Sequence, residues 1–261
     1  MIGNIRHYID SLRDDDRFVA RRILDLAIRA KNDQIFLNTD FLSINEIFIA
    51  RSVLNSLKDI NYIETGLSFN AERKVFIISS ETFDDKDILT DVFSMLSVRN
   101  LPISITHRDV LGSLLSLGIN RNKVGDIFFI GRDVKIIIKK ELETYLLETF
   151  NQVGNHKIKT TLDDIANGYD LDHNYRNLEM VISSLRIDNI VSAVSNLSRS
   201  KALILIDQGS VKLNGITDLK KNQMLNTNDV FSIRGIGKFK YIGVKGNTRK
   251  GNLILNLKEY I

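Results

Sequence analysis

The sequence predicts an α+β protein of three parts: an N-terminal α/β region, a ferredoxin-like (RRM-like) middle domain and a basic C-terminal domain. Three observations lead there. Apolar residues recur at helical spacing near the start. From Ile103 onward the pattern runs strand, helix, strand, strand, helix, strand. Charge is uneven: from Val181 onward 13 Lys plus Arg face 5 Asp plus Glu, whereas the first 180 residues hold 23 and 27. A basic module on a mildly acidic body is the footprint of a polyanion binder. Charge alone leaves RNA, DNA and membrane surfaces open.

Composition sets the bounds. The 261 residues are 43% hydrophobic and 26% charged, ordinary for a globular protein of roughly two domains. The absence of cysteine removes disulfides, thiolate zinc sites and cysteine nucleophiles. Asp14, Asp15 and Asp16 follow a start that has no basic end and no apolar run, so no signal peptide is expected. No apolar stretch reaches the ~18 residues of a membrane span. A cytoplasmic protein is expected.

Residues 1–31 read as helical. Asp14 to Asp16 complement a helix start, and Phe18, Ile23, Leu24, Ala27 and Ile28 follow at helical spacing. Ser43 with Glu46 fits a capping box, ahead of Ile47, Ala50, Val53, Leu54 and Leu57. Residues 75–78 have strand character after a turn at Asn70. A helix over 88–97 then leads to a strand at 103–106. The next helix, 108–117, stops at Gly118. Strands at 126–130 and 134–139 flank a hairpin at Gly131-Arg132-Asp133. A helix over 142–153 ends at Gly154, and a last strand covers 157–161. The polar stretch 162–177, with Gly168, reads as a linker. The expected division is 1–82, 83–165, a linker at 166–180, and 181–261.

After a strand at 180–184, a short helix starts near Arg186. Ser198 caps a second helix that displays Arg199 and Lys201 in its first turn and stops at Gly209. Val211 and Leu213 alternate with Lys212, and Asn214-Gly215 forms a turn. A helix start offers N–H groups to phosphate, arginine grips it bidentately and lysine adds a point charge.

This pattern resembles the S-four domain (alpha-L type), an RNA-binding module, over about residues 185–239. The residues that carry the likeness are Arg186/Asp188, Ser198-Arg199-Ser200-Lys201-Ala202, Gly209, Val211, Asn214-Gly215 and Asp229. Ile187 and Asn228 depart from it, standing where the family usually has leucine and often has glycine. By position the resemblance nominates Arg186, Ser198, Arg199, Ser200, Lys201, Lys212 and Asn214 as RNA contacts, extended by Arg234, Lys238, Arg249 and Lys250.

The chain is further similar to the YlmH family of bacterial S-four proteins. The likeness lies in Ser232-Ile233-Arg234-Gly235-Ile236-Gly237-Lys238-Phe239 and Gly246-Asn247-Thr248-Arg249-Lys250-Gly251. It continues in Ala71-Glu72-Arg73-Lys74, Thr106-His107-Arg108-Asp109-Val110-Leu111-Gly112, Leu117-Gly118-Ile119, Arg121 and Gly125-Asp126-Ile127. The resemblance implies a non-enzymatic RNA binder with rRNA and tRNA as partners. It implies work on the large ribosomal subunit carrying peptidyl-tRNA, in rescue or quality control of stalled translation. No cofactor, metal or small-molecule substrate is expected. A second contact is expected at His107, Arg108, Arg121 and Lys123.

Rival readings remain. S-four domains also accompany pseudouridine synthases, methyltransferases and synthetases, but the first 180 residues show no methyl-donor loop, synthetase signature or synthase aspartate motif. A cell-division adaptor is the third reading. His107-Arg108-Asp109 could suggest base and orienter, yet adjacent residues point apart. Gly235-Ile236-Gly237-Lys238 lacks the spacing of a phosphate loop. His7, His156 and His173 show no metal spacing. Asp163/Asp164 and Asp170/Asp172 belong to the linker. Of Phe128 and Phe129, one should point into the core and one outward, where it could stack on a base.

Overall fold

The computed structural model describes residues 2–68, 70–81, 85–166, 171–172, 174–220 and 222–260. Gly168, Asp170 and His173, assigned above to the linker or the scattered histidines, lie outside them. Two compact units emerge, residues 1–172 and 173–261.

In the first unit, helices α1 (Ile2–Ser11), α2 (Asp14–Asp33) and α3 (Ile44–Asn55) cover one face of a three-stranded sheet. The long helix read from sequence is thus two, parted at Leu12-Arg13, with Asp14 to Asp16 in the first turn of α2. Ser43 and Glu46 form the expected capping box on α3. The sheet runs β1 (Leu37–Asn38), β3 (Val75–Ser79), β2 (Asn61–Thr65). All five β3 residues are buried because the strand has protein on both faces. Phe76 and Ile78 meet the helices, while Val75 and Ile77 turn to a second sheet.

That second sheet corrects one expectation. Helix α4 (Asp85–Val92) stops early, and Phe93–Val98 is strand β4, buried throughout. Residues 103–106 form no strand; they are the turn into helix α5 (His107–Ser116), and Ile103 is 91% exposed. A strand covered on both faces loses its polar alternation, and its apolar run then reads equally well as helix. Strands β5 (Val124–Ile130) and β6 (Asp133–Lys139) follow, joined by a turn at Gly131. Helix α6 (Glu143–Thr149) is shorter than expected, because β7 (Gln152–Val153) and β8 (His156–Lys157) make a small hairpin around Gly154. Strand β9 (Thr160–Asp163) completes the order β5-β6-β4-β9, antiparallel throughout.

One face of this sheet packs Leu96, Val98, Ile136 and Ile138 on α5 and α6. The other sets Phe93, Met95, Phe128 and Ile137 against Phe41, Val75 and Ile77 of the N-terminal region. Four layers result: helices, sheet, sheet, helices. The two stretches read separately from sequence therefore share one core.

In the second unit, β10 (Tyr175–Ile182) starts within the stretch read as linker, ends in the strand expected at 180–184, and pairs along its length with β14 (Leu253–Tyr260). Leu178, Met180 and Ile182 alternate inward, a strand pattern that the polar residues between them obscured. The five-stranded sheet runs β10-β14-β13-β12-β11, with β11 (Val211–Leu213), β12 (Val230–Ile233) and β13 (Gly237–Asn247). Helices α7 (Ile187–Ser195) and α8 (Arg199–Asp207) cover one face, burying Ile187, Ile190, Val191, Ala202 and Ile206.

Candidate nucleic-acid interface

The centre of the basic unit is an acid. Asp188 sits in the first turn of α7 and is 1% exposed. Arg186, the residue that caps α7, donates to it from Nε at 3.1 Å and Nη2 at 2.9 Å. Arg199, the first residue of α8, donates from Nε at 3.0 Å, and its Nη2 lies 2.9 Å from the same oxygen as an ion pair. Burial alone would raise the Asp188 pKa. The hydrogen bonds from Arg186 and Arg199 outweigh it and hold the carboxyl below its usual range. One carboxylate thus fixes two guanidinium groups whose side chains stay 36% and 52% exposed. A net positive charge with set geometry remains at the surface.

Local sequence explains the placement. Ser198 accepts from the Lys201 N–H at 3.4 Å as the cap of α8. Ser200 and Lys201 are exposed beside it. Gly209 leaves the helix with φ +65°. Arg186, Ser198, Arg199, Ser200 and Lys201 therefore gather at the starts of two adjoining helices.

The other nominated residues lie apart. Val211 and Leu213 enter the core beneath the helices, so Lys212 between them points to the opposite face of the sheet. Asn214 is engaged in the fold: its Oδ1 accepts from the Val230 N–H at 2.9 Å and its Nδ2 donates to Asp229 at 2.8 Å. With φ +50° it forms the turn with Gly215, and its side chain is committed there. Arg234 is exposed and its N–H meets the Ser210 carbonyl, beyond the C-terminal end of α8. That is roughly 12 Å along the helix from Arg199. Lys238 lies over the Tyr260 ring at 4.6 Å. Arg249 and Lys250 are exposed in the β13–β14 turn, about 30 Å of strand away from Lys238. The nominated residues form several sites, not one.

Two family models match the chain. One, described as "YlmH, N-terminal", covers residues 15–82, and the other, "Putative RNA-binding domain in YlmH", covers residues 96–167. The chain belongs to the YlmH family. The "Ribosome-associated protein quality control protein P2" of Bacillus subtilis (strain 168) is 29% identical over 217 residues, 81% of this chain and 82% of that protein. The solved structure "Cell division protein ylmH from Streptococcus pneumoniae" aligns with a TM-score of 0.50 at 15% identity. It covers 61% of this chain and 97% of its own, and speaks for the fold alone.

Within the YlmH RNA-binding stretch, the sheet offers no platform for stacked bases. Phe128 faces the N-terminal layer and Phe129 packs on the helix side. Neither is the outward ring anticipated from sequence. Two of the four second-contact residues are also spent inside. Arg121 is pushed down to about 10 by burial and donates to the carbonyls of Val124 and Gly125. Lys123 bridges Asp40 at 2.7 Å and Glu141 at 2.6 Å. Asp40 also takes Arg22 at 3.0 Å and Asn122 at 2.9 Å. These cations join the layers of the fold. His107 and Arg108 are exposed at the start of α5. Asp109 caps that helix with Thr106, accepting from its N–H at 2.8 Å and its Oγ1 at 2.7 Å. Among the described residues no group of His, Cys, Asp and Glu could hold a metal ion, and no helix is long and apolar enough to cross a membrane.

Proposed function

We propose that this YlmH-family chain holds structured rRNA or tRNA on the large ribosomal subunit, as a non-catalytic factor in rescue or quality control of stalled translation. One observation carries the reading: the buried Asp188 that locks Arg186 and Arg199 at two helix starts, beside exposed Ser200 and Lys201. Positioned arginines beside free helix N–H groups suit phosphate oxygens. The description of the middle family model and the name of the Bacillus relative support the same direction. The sheet order β5-β6-β4-β9 supports a ferredoxin-like assignment of the middle stretch. The α7, α8, β11 succession with its Asn214-Gly215 turn supports an S-four assignment within residues 173–261.

Crosslinking in cells and sequencing of the bound RNA tests the partner, with rRNA or tRNA expected. Titration of a labelled RNA hairpin tests the residues. Arg199→Ala and Lys201→Ala should each flatten the salt dependence by one phosphate's share, a slope change of about 0.9. Unchanged slopes in both variants refute the assignment.

A further inference from the structure

The C-terminal sheet has a second face. Its inner face is covered by α7 and α8; its outer face carries the alternate residues of every strand. At one end of that outer face stand Lys212 on β11, Lys238 and Lys240 on β13, and Lys258 on β14. Tyr260 and Tyr175 stand on β14 and β10.

Register brings them together from distant parts of the chain. Lys212 pairs with Ser232, and Ser232 with Lys238. Tyr260 pairs with Tyr175, their rings 4.9 Å apart and edge-on. Lys238 lies over the Tyr260 ring at 4.6 Å, and Lys258 over the Tyr175 ring at 4.7 Å. One row thus crosses all five strands. In the next row Lys240 pairs directly with Lys258. The four ammonium groups fall on strands spanning about 15 Å.

Two facts separate this cluster from an ordinary solvated face. Like charges directly opposite across two strands disfavour the sheet, and the fold accepts Lys240 against Lys258. Among the described residues, moreover, no carboxylate forms an ion pair with Lys212, Lys240 or Lys258. The acids nearby are engaged elsewhere: Glu259 bonds Arg176 on the inner side, and Glu179 bonds Lys245 towards the other end. The Tyr175 ring holds Lys258 by cation–π contact, which leaves its charge in place.

We infer that this outer face is a second RNA-binding surface, which takes a phosphate backbone on Lys212, Lys238, Lys240 and Lys258. It lies across the sheet from the Arg186–Arg199 site. The chain would then hold RNA on both sides of one sheet, either two segments or one that wraps the edge strand β11. This rests on the reading of the chain as an RNA binder and adds the surface. A bound backbone supplies the counter-charge that Lys240 and Lys258 lack.

The test uses the full chain and a fluorescein-labelled RNA hairpin, titrated at several KCl concentrations. Lys240→Ala/Lys258→Ala should lower the slope of log K against log salt by about 1.8, two phosphates' share. The same variant should melt no lower than the parent, since a like-charge pair is removed. Combined with Arg199→Ala/Lys201→Ala, the slope losses should add. An unchanged slope in Lys240→Ala/Lys258→Ala while Arg199→Ala/Lys201→Ala flattens it overturns the second surface and leaves the RNA reading standing. No hairpin binding by the parent chain removes the RNA reading itself. If Lys240→Ala/Lys258→Ala loses binding to phosphatidylglycerol vesicles but keeps the hairpin slope, the face serves an anionic lipid surface and the inference fails.

Discussion

Replacing Asp188 by asparagine sets charge against geometry. The substitution removes a negative charge from the surface proposed above to hold RNA, so simple electrostatics predicts tighter RNA binding. At about 8 Å and in water, one charge is worth ~0.5 kcal/mol, roughly a twofold gain. Geometry predicts the reverse. The carboxylate receives Arg186 at 3.1 and 2.9 Å and Arg199 at 3.0 and 2.9 Å. An amide oxygen in the Oδ2 place still faces Arg186 Nη2 and Arg199 Nε, but it carries no charge to hold them, and the NH2 group then meets Arg186 Nε donor against donor. Arg199, 52% exposed, then moves through its rotamers and must be ordered again on binding. Ordering one such side chain costs about 0.5–1.5 kcal/mol, a weakening of about 2- to 12-fold from Arg199 alone, and Arg186 acts in the same direction. Asp188→Asn should therefore bind a labelled hairpin more weakly despite its added positive charge. Fluorescence anisotropy at one salt concentration measures it, with urea unfolding to establish that the variant is folded. Equal or tighter binding by a folded Asp188→Asn refutes the idea that the acid positions the arginines.

Two further predictions concern the four-layer unit. Lys139 is 4% exposed, donates to Asn38 and to the Thr39 carbonyl at 3.0 Å, and is brought down by burial to about 8. Its folded pKa lies below its unfolded one, so between about pH 8 and 10 the unfolded chain holds the extra proton and stability rises with pH. The relief is on the order of 3 kcal/mol when complete. Urea unfolding of the parent and of Lys139→Met across that range checks it; parallel profiles would show that the lysine is not the cause. Gly125→Ala would place a methyl 2.7 Å from two carbons of the Phe41 ring and 3.2 Å from Ile137 Cβ. Phe41 is 1% exposed and packed on Phe93 at 5.6 Å, so it has little room to retreat. The expected loss is about 1–3 kcal/mol by denaturant unfolding, and a neutral result would mean that the layers can shift apart.

Local chemistry made the helix starts and turns of the C-terminal unit legible. Ser198 as a cap, Gly209 as a stop and Asn214-Gly215 as a turn each depend on a few neighbouring residues, and each holds in the structure. Long-range pairing was not legible. Nothing near Tyr175 says that its partner is Tyr260, so from sequence the stretch before 180 reads as linker, strand is expected only from 180, and the outer lysine–tyrosine face carries no local signal. The signal available was the alternation of Leu178, Met180 and Ile182. Strand Phe93–Val98 failed for the opposite reason: buried on both faces, it has no alternation to read. Arg121 and Lys123 show a third limit. A sequence displays their charge but not Asp40 or the carbonyls that absorb it. The sharing of Asp188 between two arginines likewise needed the approach of α7 and α8.

The pairing of β10 with β14 also fixes an order of events during synthesis. β10 begins its unit, and its partner β14 lies far along the sequence, so roughly 80 residues must be added before the strand finds its neighbour. At about 5–20 residues per second that is roughly 4–16 s. Throughout this interval the residues of the four-layer unit are already made and can assemble. β10 meanwhile waits as an unpaired edge, exposed to stray strands. The sheet of the second unit therefore closes only once β14 has been made, well after the four-layer unit is complete.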